Sequence, residues 1–103
     1  MGSSAPSRSL EVDSVRRSAR VDGVPIDLMA IEFDILAALA RDPAVVVTRS
    51  ALLDLVWGPG FAGEEHLVDT YVANLRRKLG DDAERQDIVE TVGTAGYRLA
   101  PRA

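Results

Sequence analysis

An apolar stripe with helical spacing constrains the fold of this chain most. Its four aliphatic members recur at intervals of three or four residues: Val68, Val72, Leu75 and Leu79. This spacing places them on one face of an α-helix, which we predict over 64–79. Gly80 follows the stripe directly, and glycine commonly ends a helix. The sequence therefore predicts a helix with one narrow buried face and an opposite exposed face.

Two further helices are predicted upstream of this stripe. The segment 30–41 has apolar residues at helical spacing and stops at Asp42-Pro43, because the residue before a proline disfavours helix. The segment 49–57 is predicted to begin with Thr48 as its N-cap. Gly58-Pro59-Gly60 is expected to end it, since glycine and proline interrupt helices.

Strands are predicted on both sides of the three helices. Segments 10–13, 15–21 and 24–28 predict a small antiparallel sheet, with Asp22-Gly23 as a strong hairpin signal. A short buried strand is expected at 45–47, between the first two helices.

A β-hairpin is predicted at the end of the chain. Strand-like segments at 88–92 and 97–99 flank the turn residues 93–96. Two helices joined by a tight Gly/Pro turn, with a hairpin after the second, form a winged helix-turn-helix. We therefore predict an α+β fold, a winged helix-turn-helix with an N-terminal antiparallel β-sheet, three helices and a C-terminal β-hairpin wing.

Length and residue types exclude several classes of protein. A chain of 103 residues fits one domain, predicted over 9–103, with 1–8 as a flexible lead or cloning remnant. With no cysteine and one histidine, neither disulfides nor a metal site are predicted. The chain has no lysine-containing phosphate loop and no nucleophile elbow, so no enzyme activity and no cofactor are expected. No apolar run approaches the roughly 20 residues that span a bilayer, and we expect a cytoplasmic protein.

Charge is the main argument against nucleic acid as a partner. The net charge is −4, whereas binding to phosphates needs positive charge on the contact face. The distribution of charge matters more than its sum, because eleven of the twelve basic residues are arginines. The planar guanidinium of arginine suits both phosphates and base edges.

The outer face of the third predicted helix has side chains that suit DNA. Rotation by about 100° per residue away from the stripe brings one set outward: His66, Thr70, Ala73 and Arg77, with Tyr71, Asn74 and Lys78 at its side. Asparagine pairs with adenine, and arginine and lysine with guanine or phosphate. The charges of this helix also fit an ordinary solvated helix, because its acidic start and basic end suit the helix dipole.

Four residues on these helices and the hairpin also have an interpretation other than DNA contact. His66 follows Glu64-Glu65, but neighbouring helical residues point in different directions, so it is interpreted as exposed or DNA-facing and not as a metal ligand. Tyr71 and Tyr97 fit packing as well as ligand binding. Trp57 is expected to lie in the core.

At this point the chain resembles the DNA-binding effector domain of OmpR/PhoB-type two-component response regulators. The matching segments cover nearly everything after residue 9, in order: 31–36, 47–58, 68–79, 88–92 and 96–99. The resemblance implies a four-stranded N-terminal sheet, three helices and a wing. It also implies that the third helix enters the major groove of DNA and that the wing tip reaches the adjacent minor groove.

The resemblance also implies individual DNA contacts. Contacts to phosphate would fall on Arg49, Trp57, Thr91 and Tyr97. Contacts of the recognition helix would fall on His66, Tyr71, Asn74 and Arg76, with Arg77 and Lys78 close by. Together with the outward Thr70 and the wing residues Thr94 and Arg98, these form the predicted DNA-binding set.

The partners implied by the resemblance are double-stranded DNA with tandem half-sites, RNA polymerase through the loop 58–63, a receiver domain in the parent chain and its sensor kinase. The isolated domain is expected to be a monomer, because nothing in the sequence offers a coiled-coil seam.

Three departures from the family pattern leave two functions open. Met29 stands where a Thr or Ser usually caps the first helix, the wing tip Gly93-Thr94-Ala95 lacks the usual arginine, and Ala73-Asn74 replace arginines of some members. These changes predict weaker phosphate contact. The first hypothesis is sequence-specific binding of duplex DNA for transcription regulation. The alternative is a winged-helix protein-interaction module with weak or lost DNA binding.

Overall fold

The computed structural model describes residues 9–61 and 63–100 and confirms the winged helix-turn-helix. Three strands come first, then three helices, then a two-stranded hairpin. In chain order the elements are β1 (Leu10–Asp13), β2 (Ser18–Val21), β3 (Val24–Ile26), α1 (Ala30–Arg41), α2 (Arg49–Trp57), α3 (His66–Leu79), β4 (Val89–Val92) and β5 (Gly96–Leu99).

The N-terminal sheet has the strand order β1-β2-β3 and is antiparallel throughout. Asp22 and Gly23 both have positive φ, 53° and 82°, as a two-residue type I′ hairpin turn requires. The second strand begins at Ser18 and not at Val15, because the Asp13 carboxylate accepts backbone N–H groups of the preceding turn. Within the described residues this sheet has three strands, one fewer than the resemblance implies.

The predicted bounds of α1 and α2 are confirmed, and α3 begins at His66, two residues later than expected. Thr48 caps α2, because its hydroxyl accepts the N–H of Ala51 at 3.0 Å. At the start of α1, where Met29 replaces the usual cap, the Glu32 carboxylate accepts the Met29 N–H at 2.8 Å.

The core lies where the three helices meet the hairpin. The whole predicted stripe of α3 is buried, and it shares one apolar cluster with Ile35, Leu36 and Leu39 of α1 and with Leu52 and Leu53 of α2. Trp57 is half-buried and packs against this cluster from outside, so its predicted place in the core is only partly right.

The predicted buried strand at 45–47 is wrong. Only Val47 forms a bridge, to Tyr97 of β5, and Val45 is 55% exposed. The bridge brings the backbones so close that a Cβ on Gly96 would lie 2.2 Å from the carbonyl oxygen of Val47. Glycine is therefore required where the wing, the hairpin β4–β5, joins the helices.

Within residues 9–61 and 63–100, no helix combines the length and the apolar composition that crossing a bilayer requires.

Candidate nucleic-acid interface

Helix α3 presents an exposed face opposite its buried stripe, as its spacing predicts. His66, Thr70, Ala73 and Arg77 are all exposed, and Asn74 is half-buried beside them. The side chains of Arg77 and Asn74 are joined, since the Arg77 guanidinium donates a hydrogen bond to the amide oxygen of Asn74. This pair presents its remaining N–H donors on the outer face, where base edges offer acceptors.

Arg76 points away from this face and into the domain. Its side chain is 7% exposed, and its Nε and Nη2 donate to the carbonyl oxygen of Val89 at 3.1 and 2.9 Å. Nη2 also donates to the hydroxyl of Thr91 at 2.7 Å. Arg76 thus ties α3 to β4, and its position does not favour the base contact that the resemblance implies.

Lys78 also serves a contact within the domain. Its Nζ lies 2.8 Å from Oε1 of Glu32, a carboxylate only 1% exposed in α1. A buried carboxylate needs a partner for its charge, and Lys78 supplies it. Of the basic residues of α3, Arg77 alone is exposed and outside any ion pair in the described part of the chain.

Arg49 stands at the centre of a polar cluster between α2, α3 and the wing. Its Nε donates to Oδ1 of Asp69 at 2.7 Å, and its Nη1 donates to the carbonyl oxygen of Thr94 at 3.3 Å. The hydroxyl of Tyr97 donates to the same Asp69 oxygen. The Arg49 guanidinium also lies over the Tyr97 ring, 5.1 Å from its centroid.

The pKa values of this cluster follow from these bonds. Burial alone would raise the pKa of Asp69, but hydrogen bonds from Tyr97 and Arg49 outweigh it and hold that pKa below its usual value. The hydrogen bond to Asp69 raises the pKa of Arg49. Burial, and then the bond to Asp69, raises the pKa of Tyr97. At neutral pH the cluster therefore holds one carboxylate, one guanidinium and one neutral phenol.

The predicted DNA-contact residues of the wing differ in how far they are exposed to solvent. Thr91 and Arg98 are half-buried, and Arg98 pairs with Glu90 across the hairpin. Tyr97 is 4% exposed, whereas Thr94 is exposed at the tip.

Three aromatic rings meet where α2 ends. Trp57 stacks on Phe61 with centroids 5.9 Å apart, and it meets Tyr71 of α3 at 5.5 Å. This contact joins the two helices of the helix-turn-helix. Across residues 9–61 and 63–100, no group of three acidic or histidine side chains has the geometry to hold a metal ion.

The sequence that forms the three helices and the wing matches one described family. The model of the family described as "Transcriptional regulatory protein, C terminal" matches residues 23–99. The chain belongs to this family. Membership confirms the resemblance to OmpR/PhoB-type effector domains and accords with the predicted absence of enzyme activity.

Relatives in this effector-domain family are longer proteins. The chain is 48% identical over 90 residues to the transcriptional regulatory protein PrrA of Mycobacterium tuberculosis, a match covering 87% of this chain and 38% of PrrA. The chain spans 35 to 41% of the length of the curated relatives it matches.

Two solved structures of similar domains contain DNA. The Klebsiella pneumoniae RstA DNA-binding domain in complex with the RstA box has a TM-score of 0.82 and 34% identity, covering 91% of this chain and 93% of that one. The response regulator AdeR DNA-binding domain in complex with an intercistronic region has a TM-score of 0.74 and 26% identity, covering 89% and 94%.

Sequence reasoning on this effector domain missed the acidic partners of its basic residues. Asp69 accepts a hydrogen bond from Arg49, which lies 20 positions away in the sequence. Glu32 accepts one from Lys78, which lies 46 positions away. From the sequence alone, Asp69 is one of the acidic residues near the start of α3, which suit the helix dipole. Its partners Arg49 and Tyr97 lie in other elements of the fold, so the sequence alone offers no signal for this contact.

Proposed function

We propose that this domain binds duplex DNA in a sequence-specific way and regulates transcription as the output domain of a two-component response regulator. The observation that carries the proposal is the exposed α3 face, where Asn74 and Arg77 form a joined pair between the helix-turn-helix turn and the wing. The structural fit of 91% of the chain to the RstA domain that is bound to its DNA box supports it.

In the proposed complex α3 lies in the major groove, with Thr70, Ala73, Asn74 and Arg77 facing base edges. His66 and Tyr71 lie at the edges of this face, and Arg49 and Trp57 of α2 approach the phosphate backbone. In the wing, Thr94 and Arg98 approach the adjacent groove. Arg76, Lys78, Thr91 and Tyr97 support these elements from within, because their polar groups are held by contacts inside the domain.

Internal ion pairs limit the positive charge available to phosphates. Among residues 9–61 and 63–100, six basic side chains pair with carboxylates: Arg16, Arg17, Arg49, Lys78, Arg85 and Arg98. An acidic domain with so many paired cations should neutralise few phosphates.

A salt titration is therefore expected to give a shallow but real slope. With about two to four phosphates neutralised per domain, log affinity for a 30-bp duplex should fall against log salt with a slope of about −2 to −4. Fluorescence anisotropy between 50 and 300 mM KCl measures it. A slope of zero, with no binding at 50 mM, would favour the protein-interaction function, which the internal pairing of Arg49, Lys78 and Arg98 also favours.

Asn74→Ala is expected to weaken base reading alone. On the site preferred by the wild type, selected from a random duplex library, the loss should be about 1–3 kcal/mol, with relaxed preference at one base pair. Affinity for a scrambled duplex should stay unchanged, because Asn74 has no charge for phosphates. An equal loss on both duplexes would contradict base reading by Asn74.

The wider assembly follows from the same proposal. The domain acts in the cytoplasm as a monomer, and two copies bind side by side on tandem half-sites. In its parent chain it is joined to a receiver domain, which is the target of a sensor kinase. The loop 58–63 would meet RNA polymerase. Phe61 in this loop is 42% exposed, which supports a contact there, while Ala62 lies outside the described residues.

A further inference from the structure

We propose that Asp69 is a positioning residue for DNA binding, which holds Arg49 and the wing in the geometry that meets one backbone phosphate. This inference rests on the proposed function and deepens it. It assigns a role in binding to an acidic side chain on the recognition helix, where a negative charge would otherwise oppose DNA.

One oxygen of Asp69 joins three elements of the fold. Oδ1 accepts hydrogen bonds from Nε of Arg49 in α2 and from the hydroxyl of Tyr97 in β5. Arg49 in turn donates to the carbonyl oxygen of Thr94 at the wing tip. A single carboxylate therefore links α2, α3 and the wing at the point where Arg49 lies.

The same bonds prepare Arg49 for a phosphate. Guanidinium has five N–H donors in a fixed plane, of which Nε–H and one Nη1–H are used within the domain. Contacts on two sides and the Tyr97 ring below fix that plane, and the side chain is 21% exposed. The remaining donors keep one orientation before DNA arrives, so little side-chain entropy is lost on binding.

The sign of the effect separates positioning from simple electrostatics. Removing a negative charge from a DNA-facing surface should strengthen binding on every sequence and at low salt above all. If Asp69 positions Arg49, its removal should instead weaken binding, because the phosphate contact of Arg49 is lost with it.

The decisive experiment compares Asp69→Asn, Arg49→Ala and the double variant by anisotropy on specific and scrambled duplexes. Loss of one phosphate contact is expected to weaken binding about eightfold at 0.1 M salt and to reduce the salt slope by about one unit. Asp69→Asn should approach Arg49→Ala in both respects, and the double variant should bind no more weakly than Arg49→Ala. Base preference should stay as in the wild type.

Glu65→Gln is the matched control, since Glu65 is an exposed carboxylate at the start of the same helix. It should bind as tightly as the wild type or slightly more tightly. If Asp69→Asn also binds more tightly, or if its effect adds to that of Arg49→Ala, the positioning role is wrong. If the wild type shows no salt-dependent binding at all, the proposed function fails instead.

A second variant decides the matter if Asp69→Asn does not fold, as judged by dispersion of its amide NMR signals. Tyr97→Phe removes one hydrogen bond to Asp69 and keeps the ring. It is expected to weaken binding about two- to threefold on both duplexes, as partial release of the wing would. An unchanged affinity and an unchanged salt slope in Tyr97→Phe would overturn the proposal.

Discussion

Leu75→Ala is expected to lower the free energy of unfolding by about 2–5 kcal/mol. Leu75 is completely buried in the middle of the α3 stripe, within the cluster that α1 and α2 share. Truncation removes buried methyl groups and leaves a cavity that the packed helices cannot fully close. Since small domains have only about 5–15 kcal/mol of stability, the loss is a large part of the total.

Urea denaturation at pH 7 measures this loss. The midpoint should fall while the slope of the transition stays the same, because the folded and unfolded states keep their compactness. Leu55→Ala is the matched control, since Leu55 is 54% exposed on α2 and should change stability by no more than about 0.5 kcal/mol. Equal midpoints for Leu75→Ala and the wild type would contradict the burial of the stripe.

The apolar pattern made most of this fold predictable. The period of the α3 stripe depends on local geometry alone, and so does the hairpin at Asp22-Gly23, where both residues adopt positive φ. The strand prediction for 45–47 is wrong because β-branched residues favour a strand only where a partner strand exists. There only Val47 finds a partner.

The exposed residues of the candidate site could be predicted from the sequence. The internal hydrogen bonds that hold its other residues could not. Helical rotation alone places Thr70 and Arg77 outward. The same reasoning cannot show that Arg76, one position earlier, donates to a carbonyl 13 residues away in β4. A basic helix end also suits the helix dipole, so charge pattern does not separate a DNA contact from an internal one. That distinction needs the tertiary partners.

The structural role of Asp81 is also not visible in the sequence, and its substitution is expected to have a large effect on stability. In the sequence it begins an acidic linker, yet in the structure it is only 5% exposed and organises the loop between α3 and β4. Oδ1 accepts the N–H groups of Asp82 and Asp87, both at 2.8 Å. Oδ2 accepts those of Ile88 and Val89 at 2.9 and 3.1 Å. A single carboxylate thus satisfies four backbone donors at the start of the wing.

Asp81→Ala is expected to destabilise the domain by about 3 kcal/mol or more. Ile88 and Val89 are buried, and each buried donor left without a partner costs about 1–3 kcal/mol. Asp81→Asn should cost less, since the amide oxygen still accepts. Urea midpoints at pH 7 measure both, with Asp54→Asn, an exposed carboxylate of α2, as the control expected to stay within about 0.5 kcal/mol.

The pH dependence of Asp81→Asn tests whether charge is responsible. Burial alone would raise the pKa of Asp81, but the four backbone hydrogen bonds outweigh it and hold the pKa below its usual value. A carboxyl with a lowered pKa stabilises the folded state above its unfolded pKa of about 3.9, and this stabilisation is lost as pH falls through the folded value. The gap in stability between the wild type and Asp81→Asn should therefore be constant from pH 7 to 5 and narrow below pH 4. A gap that stays the same down to pH 2.5 would mean that the carboxylate charge contributes nothing to holding the loop.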